Sequence, residues 1–223
     1  MTVERFFISE KVKELEVKRF LAARLRRAGY SHTEIKRTPM GTRVIIYATR
    51  PGLVIGRSGE SIKELTEAFK TNFHIDNPQV EVKQVDNPDV DAQLQAAKIG
   101  NLLERGYYFK KVAHRVLDRI MECGARGAEV RISGKVPSAR AKDWTFKKGY
   151  IRHCGQLVKD HVLVGYYDAQ LKPGVVGVRV RIMPQNVIFP DEILIASQIS
   201  ARQAAAAVLA APVPAERKAE AVN

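Results

Sequence analysis

Apolar and polar positions alternate along this chain with two different periods. Val17, Phe20, Leu21, Leu25 and Ala28 recur at helical spacing with Lys18, Arg19, Arg26 and Arg27 between them, and Gly29 is placed to stop that helix. Two strand-like segments follow, around Tyr30 to Thr38 and from Arg43 to Ala48, the second rich in β-branched residues; Pro39-Met40-Gly41 is the turn between them. Arg50-Pro51-Gly52 leads into a short apolar stretch, Leu53-Val54-Ile55, and then a glycine-bracketed loop. Ile62, Leu65, Thr66, Phe69 and Phe73 mark one face of another helix, and Pro78 to Val85 reads as a strand. The predicted order is helix, strand, strand, helix, glycine loop, helix, strand.

Asp86-Asn87-Pro88-Asp89 interrupts the pattern with polar, turn-favouring residues. Beyond it Ala92, Ala96, Ile99 and Leu103 predict one helix. Phe109, Val112, Ala113, Val116, Leu117 and Ile120 predict a second, over Tyr108 to Cys123, ended by Gly124. Period-two alternation then takes over. Val130, Ile132 and Val136 alternate with Arg131, Ser133 and Lys135, and Val176, Val178, Val180 and Ile182 alternate with Gly177, Arg179 and Arg181. Such strands build a sheet with one apolar and one basic face. Two further strands are expected around Trp144 to Arg152 and Val162 to Tyr167. The fold class is α+β: a first domain over residues 1–86, a linker at 87–91, and a second domain over 92–190 with two helices on a mainly antiparallel four-stranded sheet. A mobile, alanine-rich tail is expected over 191–223.

Charge changes this picture most. The chain of 223 residues carries a formal net charge of +13. Residues 1–90 hold 16 Lys and Arg against 12 Asp and Glu, residues 91–190 hold 18 against 8, and the remainder 3 against 4. The positive field is concentrated in the second domain and suits a polyanionic partner, nucleic acid or an anionic membrane surface. No apolar run approaches the ~20 residues of a membrane span, and the N-terminus lacks a basic-then-apolar leader, so neither membrane insertion nor secretion is expected. The two cysteines, Cys123 and Cys154, form no CxxC pair and read as free thiols of a reducing cytosol. His153, Cys154 and His161 lack the regular four-ligand spacing of structural zinc. No phosphate-binding Walker loop, G-x-S-x-G or H-E-x-x-H occurs. No metal, no cofactor and no catalytic residue is expected.

The strongest local motif is Val54-Ile55-Gly56-Arg57-Ser58-Gly59-Glu60-Ser61-Ile62. Without Cβ atoms, Gly56 and Gly59 let a phosphodiester backbone approach the main chain closely. The following helix presents N–H groups and the positive end of its dipole to phosphate. Arg57 adds a cation and Ser58 a hydroxyl. An isolated G-x-x-G is more often a plain turn. Here the element order around it resembles the KH domain of type II, whose GXXG loop clamps about four nucleotides of backbone.

The resemblance extends through both domains. Ala48-Thr49-Arg50-Pro51-Gly52, Leu102-Leu103-Glu104-Arg105, Phe109-Lys110-Lys111-Val112, Gly124-Ala125-Arg126-Gly127-Ala128-Glu129-Val130, Ser133-Gly134-Lys135 and Gly174-Val175-Val176-Gly177-Val178 resemble, in order over roughly residues 5–185, the ribosomal protein S-three family of the small subunit in its archaeal and eukaryotic form. That resemblance implies a cytoplasmic, non-enzymatic constituent of the small-subunit head that binds ribosomal RNA and has no homo-oligomer. Its partners would be ribosomal RNA, messenger RNA and neighbouring head proteins. It implies RNA contacts around the loop from Arg50, Gly52, Gly56, Arg57, Ser58, Gly59 and Lys63. It places Lys110, Lys111, His114, Arg115 and Arg119, on the second helix of the second domain, at the mouth through which messenger enters. The family's basic pair falls on Lys110 and Lys111. At the next position this chain has His114, mostly neutral near pH 7 when unperturbed, followed by Arg115. Arg131, Lys135, Arg140, Lys142, Lys147 and Lys148 form a further basic set suited to phosphate contacts. Two other readings stand beside this one: a free KH-domain regulator or chaperone, and a nucleic-acid lyase using an activated lysine, for which the sequence offers no desolvated pocket. Trp144 and Phe146, two apart on one strand face, are expected in the core rather than on a base-stacking platform.

Overall fold

The computed structural model describes residues 3–38, 41–73, 75, 77–185 and 187. The Pro39-Met40 part of the predicted turn and the alanine-rich tail lie outside the described residues. The first helix, α1 (Val3–Arg24), starts well before Val17. Glu, Lys and Leu favour helix over its first half, yet Phe6, Phe7, Ile8 and Val12 are exposed and no apolar stripe forms there for periodicity to detect. Only Val17 and Leu21 of this helix are fully buried.

β1 (Tyr30–Thr38) and β2 (Gly41–Ala48) pair antiparallel, and β3 (Gln79–Gln84) joins β2 in parallel, giving a sheet of order β1-β2-β3. Between β2 and β3 the chain makes α2 (Pro51–Ile55), a single 3-10 turn (Arg57–Gly59) and α3 (Glu60–Phe73). This is the element order of the type II KH arrangement. One apolar cluster holds it together, with Val17, Leu21, Val44, Ile46, Val54, Leu65 and Phe69 at its centre. Phe20 meets Phe69 and Phe73 edge-on, so α1 and α3 are stapled by rings.

The second part opens with α4 (Ala92–Glu104). Asp91 caps it, its carboxylate accepting from the Gln93 and Leu94 N–H groups at 2.9 and 3.4 Å. The same carboxylate accepts from the Ser31 hydroxyl of β1, so the cap of one part is tied to a strand of the other. Arg26 adds a second tie, pairing with Glu104 at 2.6 Å and lying over the Tyr167 ring at 5.0 Å.

α5 (Phe109–Glu122) buries the six predicted apolar residues, worth roughly 1.5–3 kcal/mol for each large one fully removed from water. β4 (Gly127–Gly134), β5 (Lys142–Gly149), β6 (Leu163–Leu171) and β7 (Gly174–Met183) form an antiparallel sheet of order β5-β4-β7-β6. Both helices pack on one face of it, against Ala128, Val130, Ile132, Val176, Val178, Val180 and Ile182. Trp144 and Phe146 join this core, their rings 5.5 and 6.4 Å from that of Phe109.

Three strands of the second part also differ from the sequence pattern. β4 stops at Gly134, so Lys135 and Val136 belong to the loop that follows, where the Val136 carbonyl accepts from Trp144 Nε1 at 3.0 Å. β5 ends at Gly149, and a short helix, α6 (Gln156–His161), fills part of the connection, too brief to show a period. β6 runs on to Leu171 because its pairing with β7 continues to the hairpin at Lys172-Pro173.

Candidate nucleic-acid interface

The glycine loop is set by backbone geometry. α2 is anchored by Val54, which is fully buried, while Leu53 and Ile55 on either side stay exposed. The helix closes with the Gly56 N–H donating to the Gly52 carbonyl at 3.0 Å. Gly56 then turns at φ 75° and Gly59 at φ 75°, the left-handed region where a side chain is strained. The two glycines differ in their surroundings. A Cβ on Gly56 would sit 2.9 Å from the Cβ of Ser61, so this position is closed from below. A Cβ on Gly59 or Gly52 would meet nothing within 4 Å, so the main chain there is open to an approaching ligand. Arg50, Arg57 and Lys63 are exposed around the loop. Among the described residues none of the three has a carboxylate partner, whereas neighbouring Glu64 is engaged by Arg24. Gly52, Gly56, Arg57, Gly59 and Lys63 therefore frame a cationic, partly bare stretch of main chain leading into α3, and Ser58 lies between them in sequence.

α5 divides its exposed surface into two rows. Lys110 lies over the Trp144 ring at 5.0 Å, and His114 sits edge-on to Phe146 at 5.1 Å. These two side chains cover the aromatic seam between the helix and β5. Lys111, Arg115 and Arg119 follow one another at i, i+4 spacing along the other row, all exposed. Asp118, the acid among them, is taken by Lys148 of β5 at 2.6 Å. Among the described residues none of Lys110, Lys111, Arg115 and Arg119 has a carboxylate partner. The N-cap, Tyr108, makes no side-chain cap bond, and the first turn carries two lysines and no acid. That turn puts like charge at the positive end of the helix dipole, an arrangement that an anionic neighbour relieves.

The remaining basic set is dispersed. Arg131 and Lys147 lie on the sheet face away from the helices, Lys148 on the helix side, and Lys135, Arg140 and Lys142 at or beside the β4–β5 connection. Arg131 is hydrogen-bonded to Asp143, which raises its pKa and keeps it charged. The outer face also carries residues that the alternation in β7 displays but that the sequence alone does not mark as candidates. In the β4–β7 pairing Arg181 stands opposite Glu129, which is 3% exposed, and Arg179 opposite Arg131. Arg181 pairs with Glu129 at 2.6 Å, and Lys147 and His153 approach its other oxygen at 3.6 Å. The Arg179 guanidinium lies over the Tyr166 ring at 5.4 Å. Cross-strand neighbours decide which of these arginines are occupied, and strand pairing is what the sequence alone withholds.

Groups of three or more potential metal-ligating side chains do not occur among the described residues. Cys123 and Cys154 are free and exposed. No helix among the described residues is long and apolar enough to cross a membrane.

Comparison with known proteins divides the chain in the same two parts. The KH domain model matches residues 16–90, and the model described as ribosomal protein S3, C-terminal domain, matches residues 99–182. Small ribosomal subunit protein uS3 of Methanocaldococcus jannaschii is 47% identical over 193 residues, 86% of this chain and 93% of that protein. The uS3 protein of Methanocella arvoryzae is 44% identical over 223 residues, the whole of this chain and 77% of that protein. That of Methanothermobacter thermautotrophicus is 45% identical over 190 residues, 85% and 74% respectively.

Proposed function

The chain belongs to the small ribosomal subunit protein uS3 family, and from that premise we propose that it is a structural, non-enzymatic constituent of the cytoplasmic small ribosomal subunit that binds ribosomal RNA and lines the mouth of the messenger channel. Two regions divide the work. The loop around Gly56–Gly59 holds a phosphodiester backbone through bare main chain and the Arg50, Arg57 and Lys63 cations. The α5 row of Lys111, Arg115 and Arg119, with Lys110 beside it, meets messenger RNA as it enters. Neighbouring proteins of the subunit head are partners of the remaining surface.

The observation that carries this reading is the α5 row: cations at one-turn spacing, exposed and without carboxylate partners among the described residues, while the adjacent acid is taken by Lys148. A solvated helix face ordinarily intersperses its acids with its bases; this one gives Asp118 to the neighbouring strand and keeps Glu122 at the helix end, past the last cation of the row. Such a surface supplies phosphate affinity without reading sequence.

Sucrose-gradient sedimentation of a tagged copy from its native cell, with the RNA of each fraction identified, tests the proposal. Co-migration with the small subunit at about one copy per particle at moderate salt is the expected result. Sedimentation away from ribosomes, on messengers or at the top of the gradient, would replace it with a free RNA-binding regulator.

A further inference from the structure

At the start of α5 the structure holds a feature that phosphate binding does not use. The turn between α4 and α5 is fixed by two main-chain bonds, Gly106 N–H to the Leu103 carbonyl at 2.9 Å and Tyr107 N–H to the Leu102 carbonyl at 3.2 Å. It presents two tyrosines in succession, Tyr107 55% and Tyr108 57% exposed. Tyr108 is braced from behind: its ring lies 5.0 Å from that of Phe109, which is itself buried against Trp144. Leu102, Val112 and the two tyrosines line a shallow hollow of about 60 Å³, and Lys111 and Arg115 form its rim. No acid lines it.

We propose that this hollow is a stacking site for one unpaired base of single-stranded RNA, with Lys111 and Arg115 holding the phosphates on either side. The inference rests on the reading of α5 as a messenger-facing helix and names what that helix grips. The hollow is too small to enclose a nucleobase, yet its aromatic walls are open, so a base is taken by its face and not by its hydrogen-bonding edge. Stacking of this kind tolerates any sequence, because every base has a π face. It requires an unstacked strand, since a paired helix keeps its bases covered. The rim selects the occupant: two cations with no balancing acid suit a phosphodiester and oppose an apolar segment of another protein, for which uncompensated charge beside the contact is a cost.

The test uses the full chain carrying Arg57→Glu in every arm, to weaken the contribution of the glycine loop. Affinity is measured for a ten-nucleotide single-stranded RNA and for an abasic strand with the same phosphates. The protein is expected to prefer the base-bearing strand by roughly tenfold. Tyr107→Ala should bring that ratio close to one while leaving abasic binding in place, and Tyr107→Phe should restore it. Photo-crosslinking with a thiouridine-bearing strand should mark the peptide containing Tyr107. A ratio already near one, or one unmoved by Tyr107→Ala with no crosslink to that peptide, would overturn the stacking site. Lys110→Ala with Lys111→Ala separates the two levels of the argument. If that pair lowers affinity for both strands while the tyrosine variants do nothing, the stacking site fails and the messenger-facing helix stands. If the lysine pair changes neither affinity, the reading of α5 fails, and the stacking site with it.

Discussion

On the proposed reading, the loop at Gly56–Gly59 and the outer row of α5 would meet the same polyanion by different means. In the loop the main chain does the preparing. Two glycines at positive φ turn it, Val54 anchors it, and Gly59 leaves it bare. On α5 the main chain is an ordinary helix, and the surface is written in side chains: the acid within the row, Asp118, is held by Lys148, and Glu122 stands at the helix end. A site made of backbone shape is tied to the fold and fails with it. A site made of exposed charge can be erased while the fold stands, and it responds to salt.

The largest effect is expected where that difference is greatest. Gly56→Asp forces a side chain into left-handed backbone and toward Ser61, so it should cost about 1–3 kcal/mol of stability from the backbone strain alone. RNA affinity should fall with it, and urea unfolding followed in parallel with binding will show the two losses together. Full stability with lost affinity would mean that the glycine is required by the ligand and not by the turn. Next, Lys110→Ala with Lys111→Ala should leave unfolding within about 1 kcal/mol of the parent, the loss being the Lys110 contact with the Trp144 ring. It should flatten the salt dependence of single-stranded RNA binding by about 1.4 in log–log slope, at about 0.7 for each phosphate no longer neutralised. In cells the doubly substituted protein should enter small subunits and impair passage of structured messengers. Exclusion from subunits would make the row an anchor for ribosomal RNA.

Much of the loop was legible in the sequence, and the surface of α5 only in part. Gly56 and Gly59 bracket the loop in the sequence itself, and a period-3.6 pattern marks the buried side of α5 residue for residue from Phe109 to Ile120. What the pattern could not give was partnership across the fold. His114, at a position where a cation is expected, packs edge-on to Phe146. Lys148, one of the basic set suited to phosphate, holds Asp118. Arg179 and Arg181 are visible as an alternation, but that they gather with Lys147 and His153 around Glu129 and Tyr166 depends on the register of β4, β5, β6 and β7. The first half of α1 escapes for the opposite reason. It is helical without a buried stripe, so no periodicity announces it.

Smaller effects sharpen the contrast. Arg57→Glu lies in the loop but on its side-chain layer, so it should behave as α5 does: unfolding unchanged, binding weakened several-fold, and the salt slope reduced by about 0.7. A loss of stability there would place Arg57 in the fold. Last, Tyr30 opens β1 and packs against the first apolar cluster, and burial raises its phenol pKa above the ordinary value of 10.0, with the Thr33 hydroxyl bond opposing. A raised folded pKa means that the folded state holds this proton more tightly. Its contribution is therefore complete below pH 10 and is lost as pH climbs toward the folded value. Hydrogen exchange should show β1 and β2 loosening above pH 10 in the parent, and this alkaline change should be reduced in Tyr30→Phe.

The most direct test of the account is photo-crosslinking inside intact small subunits programmed with a thiouridine-bearing messenger, followed by identification of the crosslinked peptides of this chain. The account predicts that messenger marks the peptides holding Lys110, Lys111 and Arg115. If those peptides crosslink only to ribosomal RNA, α5 does not face the messenger, and the division of labour between helix and loop is wrong.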